Sequence, residues 1–350
     1  MMEHKKEIVL VLSLIVISLV AILLFYDNEI TPQWKMEYNE SGRITEITEY
    51  DINKVGESFG IGLYESPIRT KESGMGYSKF LNLGEEFKGY VFLSNQMYDG
   101  NDFLISCLLD YKQVPFKFDE EDKQVLHTIH LEPFEERFYS FDLGKIEKGG
   151  HDFEIVAIMK PYEHSLNRTF RFSTDFSYLG SVRKNLFVGD LNLPVINYTT
   201  ISAISCSSEY PINNGILITK EPCSAKAWLT EEVKPGERLN YTINVAADRE
   251  YLVSFAIMVL LDYEQVPINV NGSNSIIFGK LDAGEKVSTP ASITVPDDEG
   301  VHELMVVWFT DPYERLETSP GVRAHIRAGT EPSIRVGLNV KDFRSENLTY

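Results

Sequence analysis

Several groups of residues in this 350-residue chain have types and spacings that chemistry could use. The stretch GESFG, residues 56–60, has the G-x-S-x-G spacing of an acyl-transfer serine, which needs a tight strand-to-helix turn plus histidine and acid partners. The residues that follow, IGLYESPI, read as extended and no strand-helix alternation comes after them, so Ser58 is not expected to be a nucleophile. In HTIH, His127 and His130 stand three apart in an expected strand; they point to opposite faces and cannot share one transition metal. The acidic turns DEED (119–122) and DDEG (297–300) offer oxygens of the kind Ca²⁺ takes, but without EF-hand spacing; solvated turns are the expectation. No catalytic residue, metal site or cofactor is therefore assigned.

Cysteine chemistry narrows in the same way. Cys206 and Cys223 lie 17 residues apart in one stretch and can form a disulfide in an oxidising compartment, with two free thiols as the alternative. Cys107 sits in the apolar run FLISCLLDY and reads as a small buried hydrophobe.

The most suggestive residues occur twice. LLDYKQVP (108–115) returns as LLDYEQVP (260–267), an offset of 152, and Gly84-Glu85 returns as Gly236-Glu237. His151 matches His302, and Pro161-Tyr162-Glu163 matches Pro312-Tyr313-Glu314, both at an offset of 151. A spacing held over so long a stretch marks a tandem duplication of about 150 residues. The twinned polar set is Asp110, Tyr111, Gln113, His151 and Tyr162 with Asp262, Tyr263, Gln265, His302 and Tyr313. Such residues secure strand ends and turns, or they form a binding surface displayed twice; the first is the expectation. Pro115 and Pro267, lacking a ladder donor, should end a strand or sit at its edge.

Each unit reads as strands, because Val, Ile, Phe, Tyr and Thr fill runs of five to ten residues between Gly, Pro, Asn and Asp. In ERLNYTINV, Leu239, Tyr241, Ile243 and Val245 alternate with Arg238, Asn240, Thr242 and Asn244, which predicts one buried face and one facing solvent. FLISCLLDY and FAIMVLLDY are apolar on both faces, as expected of strands covered on both sides or packed on a neighbouring domain. GRITEITEYDINKV can form a short amphipathic element. The fold class is all-β: two tandem immunoglobulin-like β-sandwiches at 40–190 and 191–350, behind an N-terminal transmembrane helix.

That helix is the run IVLVLSLIVISLVAILLF, residues 8–25, which has no charge and would span roughly 27 Å as a helix. Lys5 and Lys6 before it and Asp27 and Glu29 after it place a stub (1–7) in the cytoplasm, an uncleaved signal anchor at 8–26, and a linker (27–39) outside. Six N-x-S/T sequons, Asn39, Asn167, Asn197, Asn240, Asn271 and Asn347, suit an extracytoplasmic glycoprotein. The formal charge of -19 argues against nucleic acid as a partner.

The order of a Gly-Glu turn, a long apolar strand ending in Asp-Tyr, a second Gly-Glu turn (AGEK, 283–286) and a His-led apolar strand resembles the CARDB-type immunoglobulin-like domains of bacterial and archaeal surface proteins. The resemblance covers roughly 80–340 in two copies and implies a noncatalytic spacer or adhesion module. The expected function is thus a membrane-anchored extracytoplasmic structural, adhesion or assembly module whose partners are the membrane and other envelope proteins. The competing expectation is a surface receptor for a glycan or a transported solute, using the paired Pro-Tyr-Glu loops with Tyr162 and Tyr313.

Overall fold

Runs of β-branched and aromatic residues fold as strands here, and the turn residues between them set where each strand stops. The computed structural model describes residues 58–342 except 71–72, 173–178, 199–202, 208–211, 213, 249, 270–271, 273 and 317–328, together with the backbone of a small antiparallel ribbon, β1 (Glu37–Tyr38) and β2 (Ile44–Glu46). The apolar run at 8–25 and the sequons Asn39, Asn271 and Asn347 lie outside the described residues. Among the described residues no helix is long and apolar enough to cross a membrane. The chain divides into two compact units, Met1–Glu57 and Ser58–Tyr350. The ribbon belongs to the first, so part of GRITEITEYDINKV is strand.

The second unit holds both sandwiches. The first copy contains β3 (Ser58–Tyr64), β4 (Ser78–Leu81), β5 (Glu86–Gln96), β6 (Asn101–Leu109), β7 (Lys112–Gln113) and β8 (Phe116–Phe118). It continues with β9 (Glu121–Gln124), β10 (Leu126–Leu131), β11 (Glu136–Lys145), β12 (Gly149–Met159), one helical turn α1 (Arg168–Arg171) and β13 (Leu179–Val188). The second copy contains β14 (Ile204–Ser205), β15 (Gly215–Thr219), β16 (Thr230–Val233), β17 (Arg238–Ala246), β18 (Val253–Leu261) and β19 (Glu264–Val266). After these come β20 (Ile276–Leu281), β21 (Lys286–Thr294), β22 (Gly300–Thr310), β23 (Thr330–Pro332) and β24 (Val336–Val340).

In the first copy the sheet β10-β6-β12-β13-β4 packs on β3-β5-β11-β8-β9. In the second, β16-β24-β22-β18, with β19 and β20 both on β18, packs on β14-β21-β17-β15. Equivalent strands take equivalent places, down to the pairings β4 with β13 and β16 with β24, which are parallel among otherwise antiparallel neighbours. The copies differ at one edge, where β8 and β9 border β11 but β14 borders β21.

Period-two alternation explains why the central strands are apolar on both faces. In β6 and β12, Phe103, Ile105, Cys107, Phe153, Ile155 and Ala157 enter the first sandwich core. In β18 and β22, Phe255, Ile257, Val259, Leu304, Val306 and Trp308 do the same in the second. The intervening residues Leu104, Leu108, Val156 and Ile158 meet Ala256, Met258, Leu260, Met305, Val307 and Phe309 in a third cluster shared by the two sandwiches. Each large side chain buried there contributes about 1.5–3 kcal/mol, so the shared core joins the copies strongly.

The expected alternation holds only for the first part of β17. Arg238 and Asn240 are exposed and Leu239 and Tyr241 buried, but Thr242 and Asn244, expected to face solvent, are buried as well. The segment bearing Cys223 crosses that outer face: the Cys223 amide donates to Asn244 Oδ1 and Ser288 Oγ, both at 3.1 Å. Cys206 and Cys223 are joined in a disulfide, and Cys107 is fully buried.

Candidate functional site

The repeated Leu-Asp-Tyr marks a two-residue hairpin turn. Asp110 and Tyr111 join β6 to β7 with φ of 54° and 64°, and Asp262 and Tyr263 join β18 to β19 with φ of 49° and 68°. Two successive positive φ values are what a type I′ turn requires, and without glycine they cost energy that side-chain bonds must offset. The Asp110 side chain supplies them, its Oδ1 accepting the Asp152 amide at 3.1 Å and its Oδ2 facing His151 Nδ1 at 2.7 Å, while its amide adds a main-chain bond to the Asp152 carbonyl at 2.8 Å. Asp262 repeats the pattern on Glu303 and His302, at 2.8, 2.9 and 2.6 Å.

Each of these histidines has oxygen acceptors on both ring nitrogens. His151 Nε2 faces the Glu147 carbonyl at 3.0 Å, and His302 Nε2 faces the Asp298 carbonyl at 2.9 Å. Only imidazolium can donate from both nitrogens. The bond to Asp110 raises the pKa of His151 above the ordinary value. At His302 burial opposes the charge, and the bonds to Asp262 and the Asp298 carbonyl outweigh it.

Beyond the turns, the two copies touch through equivalent residues. The Gln113 amide donates to Gln265 Oε1 at 3.0 Å while the Gln265 amide donates to Gln113 Oε1 at 2.6 Å. Gln113 Nε2 donates to the Tyr263 carbonyl at 2.7 Å, and Gln265 Nε2 to the Tyr111 carbonyl at 3.0 Å. Each glutamine side chain therefore serves as a surrogate strand for the other copy's edge. This reciprocity is an isologous contact, with a local two-fold axis between β7 and β19.

A second reciprocal pair, absent from the sequence reading, is Arg183 and Arg335. Arg183 reaches the Thr310 and Asp311 carbonyls at 2.8 and 2.6 Å. Arg335 reaches the equivalent Lys160 carbonyl at 3.1 Å, and Tyr263 Oη at 2.8 Å. The signal was present as Ser-Val-Arg at 181–183 and Ser-Ile-Arg at 333–335, again 152 apart. An arginine on a strand reads as a solvated side chain, so nothing local marked it.

The symmetry breaks where Asp152 and Glu303 are satisfied. Asp152 accepts from Tyr111 Oη, Arg183 Nη2 (2.6 Å), Asn185 Nδ2 (2.7 Å) and the Tyr313 amide (2.6 Å). Glu303 instead takes a bidentate pair from Arg171 of α1, both bonds 2.9 Å, with both side chains fully buried. Gly337 stands where the first copy has Asn185, and a Cβ there would fall 2.3 Å from Arg171 Nη2. The glycine makes room for the guanidinium.

The remaining sequence candidates separate. Ser58 lies on β3 and donates to Gln96 Oε1 at 3.0 Å. His127 is buried against Phe116 and Phe118, while His130 on the opposite face is exposed and pairs with Asp102. Asp119 pairs with Arg137 and Glu121 with His127, and no group of three metal-ligating side chains occurs among the described residues. Pro115 falls between β7 and β8, and Pro267 directly follows β19. Asn167 caps α1, accepting the Thr169 and Phe170 amides, and Asn167, Asn197 and Asn240 are exposed. Tyr162 and Tyr313 do not form the expected matched pair: Tyr162 is exposed, whereas Tyr313 packs on Tyr111 and Phe278 in the shared core.

No protein-family model matches the chain, and no curated protein matches it. Among solved structures it is similar to a CARDB domain from Pyrococcus furiosus, at 9% identity over 38% of this chain and 94% of that one, with a TM-score of 0.24. It is also similar to red sea bream transglutaminase, at 11% identity over 83% of this chain but 32% of that one, with a TM-score of 0.22. Fibronectin(III)-like modules of Clostridium thermocellum CbhA match at 13% identity over 83% of this chain and 99% of that one, with a TM-score of 0.21. The assignment of two β-sandwiches rests on the strand pairing above, and immunoglobulin-like and fibronectin-like modules are among the folds this chain is similar to.

Proposed function

We propose that this chain is a noncatalytic, membrane-anchored extracytoplasmic module in which two immunoglobulin-like sandwiches act as one stiff body for structural, adhesion or assembly work. The observation that supports it best is the fate of the twinned residues. Asp110, Tyr111 and Gln113, with Asp262, Tyr263 and Gln265, are spent on turns and on the contact between copies. A surface displayed twice for a ligand would leave them free. A shared apolar core with reciprocal edge bonds suppresses hinge motion, which suits a spacer that must transmit position or force away from the bilayer. The tether is the apolar run at 8–25, and the partners are other envelope proteins.

Two measurements test the reading. Spin labels at exposed positions of each sandwich in the full chain should give one narrow distance distribution; a broad one removes the stiff-body function. Protease added to intact cells should degrade the sandwiches while membrane washing at high pH leaves the chain in the pellet; protection from protease removes the extracytoplasmic assignment.

A further inference from the structure

The equivalent positions Asp102/Ser254 and His130/Lys280 have diverged, and with the unchanged pair Tyr162/Tyr313 they mark one place in the fold. In the second copy the Tyr313 ring lies against Phe278 and Tyr111. In the first copy the residue equivalent to Phe278 is Thr128, whose hydroxyl bonds Tyr162 Oη and holds that ring at the surface, 56% exposed. A cleft of about 280 Å³ opens beside it, lined by Asp99, Asp102, His130, Lys160, Tyr162 and Glu163.

The lining has unused bonding capacity. Asp102, which lines the cleft, bonds His130 Nδ1 through Oδ1 at 2.8 Å, and its Oδ2 has no hydrogen-bond partner among the described residues. The carboxylates of Asp99 and Glu163 and Nζ of Lys160 likewise make no hydrogen bond or salt bridge among the described residues, and Glu163 acts on Arg335 only through its charge. An aromatic face, several carboxylate acceptors and one ammonium donor converging on a small open cleft suit a ring that is apolar on its faces and hydroxylated around its rim. Three acids against Lys160 and His130 leave an acidic balance, which disfavours an anionic ring.

We propose that this cleft seats one ring of a neutral or amino sugar, with Tyr162 as the stacking face and Asp99, Asp102, Glu163 and Lys160 bonding its hydroxyl or amino groups. This adds a ligand-binding function to one copy and does not depend on the structural role above.

Saturation-transfer NMR on the full chain tests it with glucose, N-acetylglucosamine, glucosamine and glucuronate as probes. Transfer is expected to at least one of the first three and least to glucuronate. Tyr162→Ala should weaken binding roughly three- to tenfold, the worth of one ring face. Tyr162→Phe, which keeps the ring face but loses the bond to Thr128, should weaken binding less than Tyr162→Ala. Asp99→Asn with Glu163→Gln, two exposed positions whose change leaves the core untouched, should weaken it again, while Tyr251→Ala, an exposed aromatic of the second copy, should not. The proposal is overturned by no transfer to any neutral or amino sugar, by preference for glucuronate, by unchanged binding in Tyr162→Ala, or by equal loss in Tyr251→Ala.

Discussion

Replacing Gln113 by alanine removes the acceptor for the Gln265 amide at 2.6 Å and the donor to the Tyr263 carbonyl at 2.7 Å, along with a bond to Ser106 Oγ. A neutral bond contributes about 1 kcal/mol net, and a buried amide left unpaired costs about 1–3 kcal/mol. The amide of Gln265 is partly screened by its place at a sheet edge, so a loss of about 2–3 kcal/mol is expected. Gln265→Ala removes the matching bonds to the Gln113 amide and Tyr111 carbonyl and should cost the same to within about 0.5 kcal/mol. Gln113→Glu keeps the acceptor but sets a carboxylate against the Tyr263 carbonyl, so it should be no better than alanine. Urea unfolding of the full chain reads these values, and both sandwiches should unfold in one transition because they share a core. If either alanine variant is neutral, or the two differ by more than about 1 kcal/mol, the contact is not the reciprocal one described.

Other perturbations probe the rest of the arrangement. Because the pKa values of His151 and His302 are raised by folding, their contribution is full below about pH 6.5, the unfolded value, and lost as pH rises through the folded value. The Tm should therefore decline over that window, and Asp110→Asn with Asp262→Asn should flatten the decline. Gly337→Ala drives a Cβ into Arg171 and should destabilise by about 3 kcal/mol or more by calorimetry, whereas Asn185→Ala, at the equivalent position, only removes bonds and should cost less. Reducing the Cys206–Cys223 bond, which closes a 17-residue separation, should cost about 3 kcal/mol on the chain-entropy estimate, measured as the shift in urea midpoint with and without reductant.

How much of this was legible in the sequence depends on the range of the interaction. Strand type, the duplication and the two-faced apolar strands follow from local pattern, since alternation and turn residues act within a few positions. The meaning of Gln113 and Gln265 does not, because it depends on which edges of the two copies meet, and no local periodicity encodes that. The outward residues of β17 failed for the same reason: Asn244 alternates correctly, but a segment starting near Cys223 covers it from elsewhere in the chain. Tyr162 and Tyr313 looked equivalent because their neighbours Pro and Glu match, while the difference lies at Thr128 and Phe278, in a strand remote in sequence.

The geometry of the contact bears on why the copies are fused and yet unequal. Head-to-tail packing of tandem modules would set unlike surfaces together, whereas here Gln113 meets Gln265 and Arg183 and Arg335 cross to equivalent carbonyls. That is the contact two identical subunits make about a two-fold axis, held within one chain. Perfect symmetry would oblige Asp152 and Glu303 to be satisfied alike, and covalent linkage lifts that demand. The link after β12 delivers Arg171 to Glu303 and needs Gly337 to admit it, while Asp152 keeps Asn185 and the Tyr313 amide. With Tyr313 drawn inward on that side, Tyr162 is the one of the two that stays at the surface, beside the cleft of the first copy.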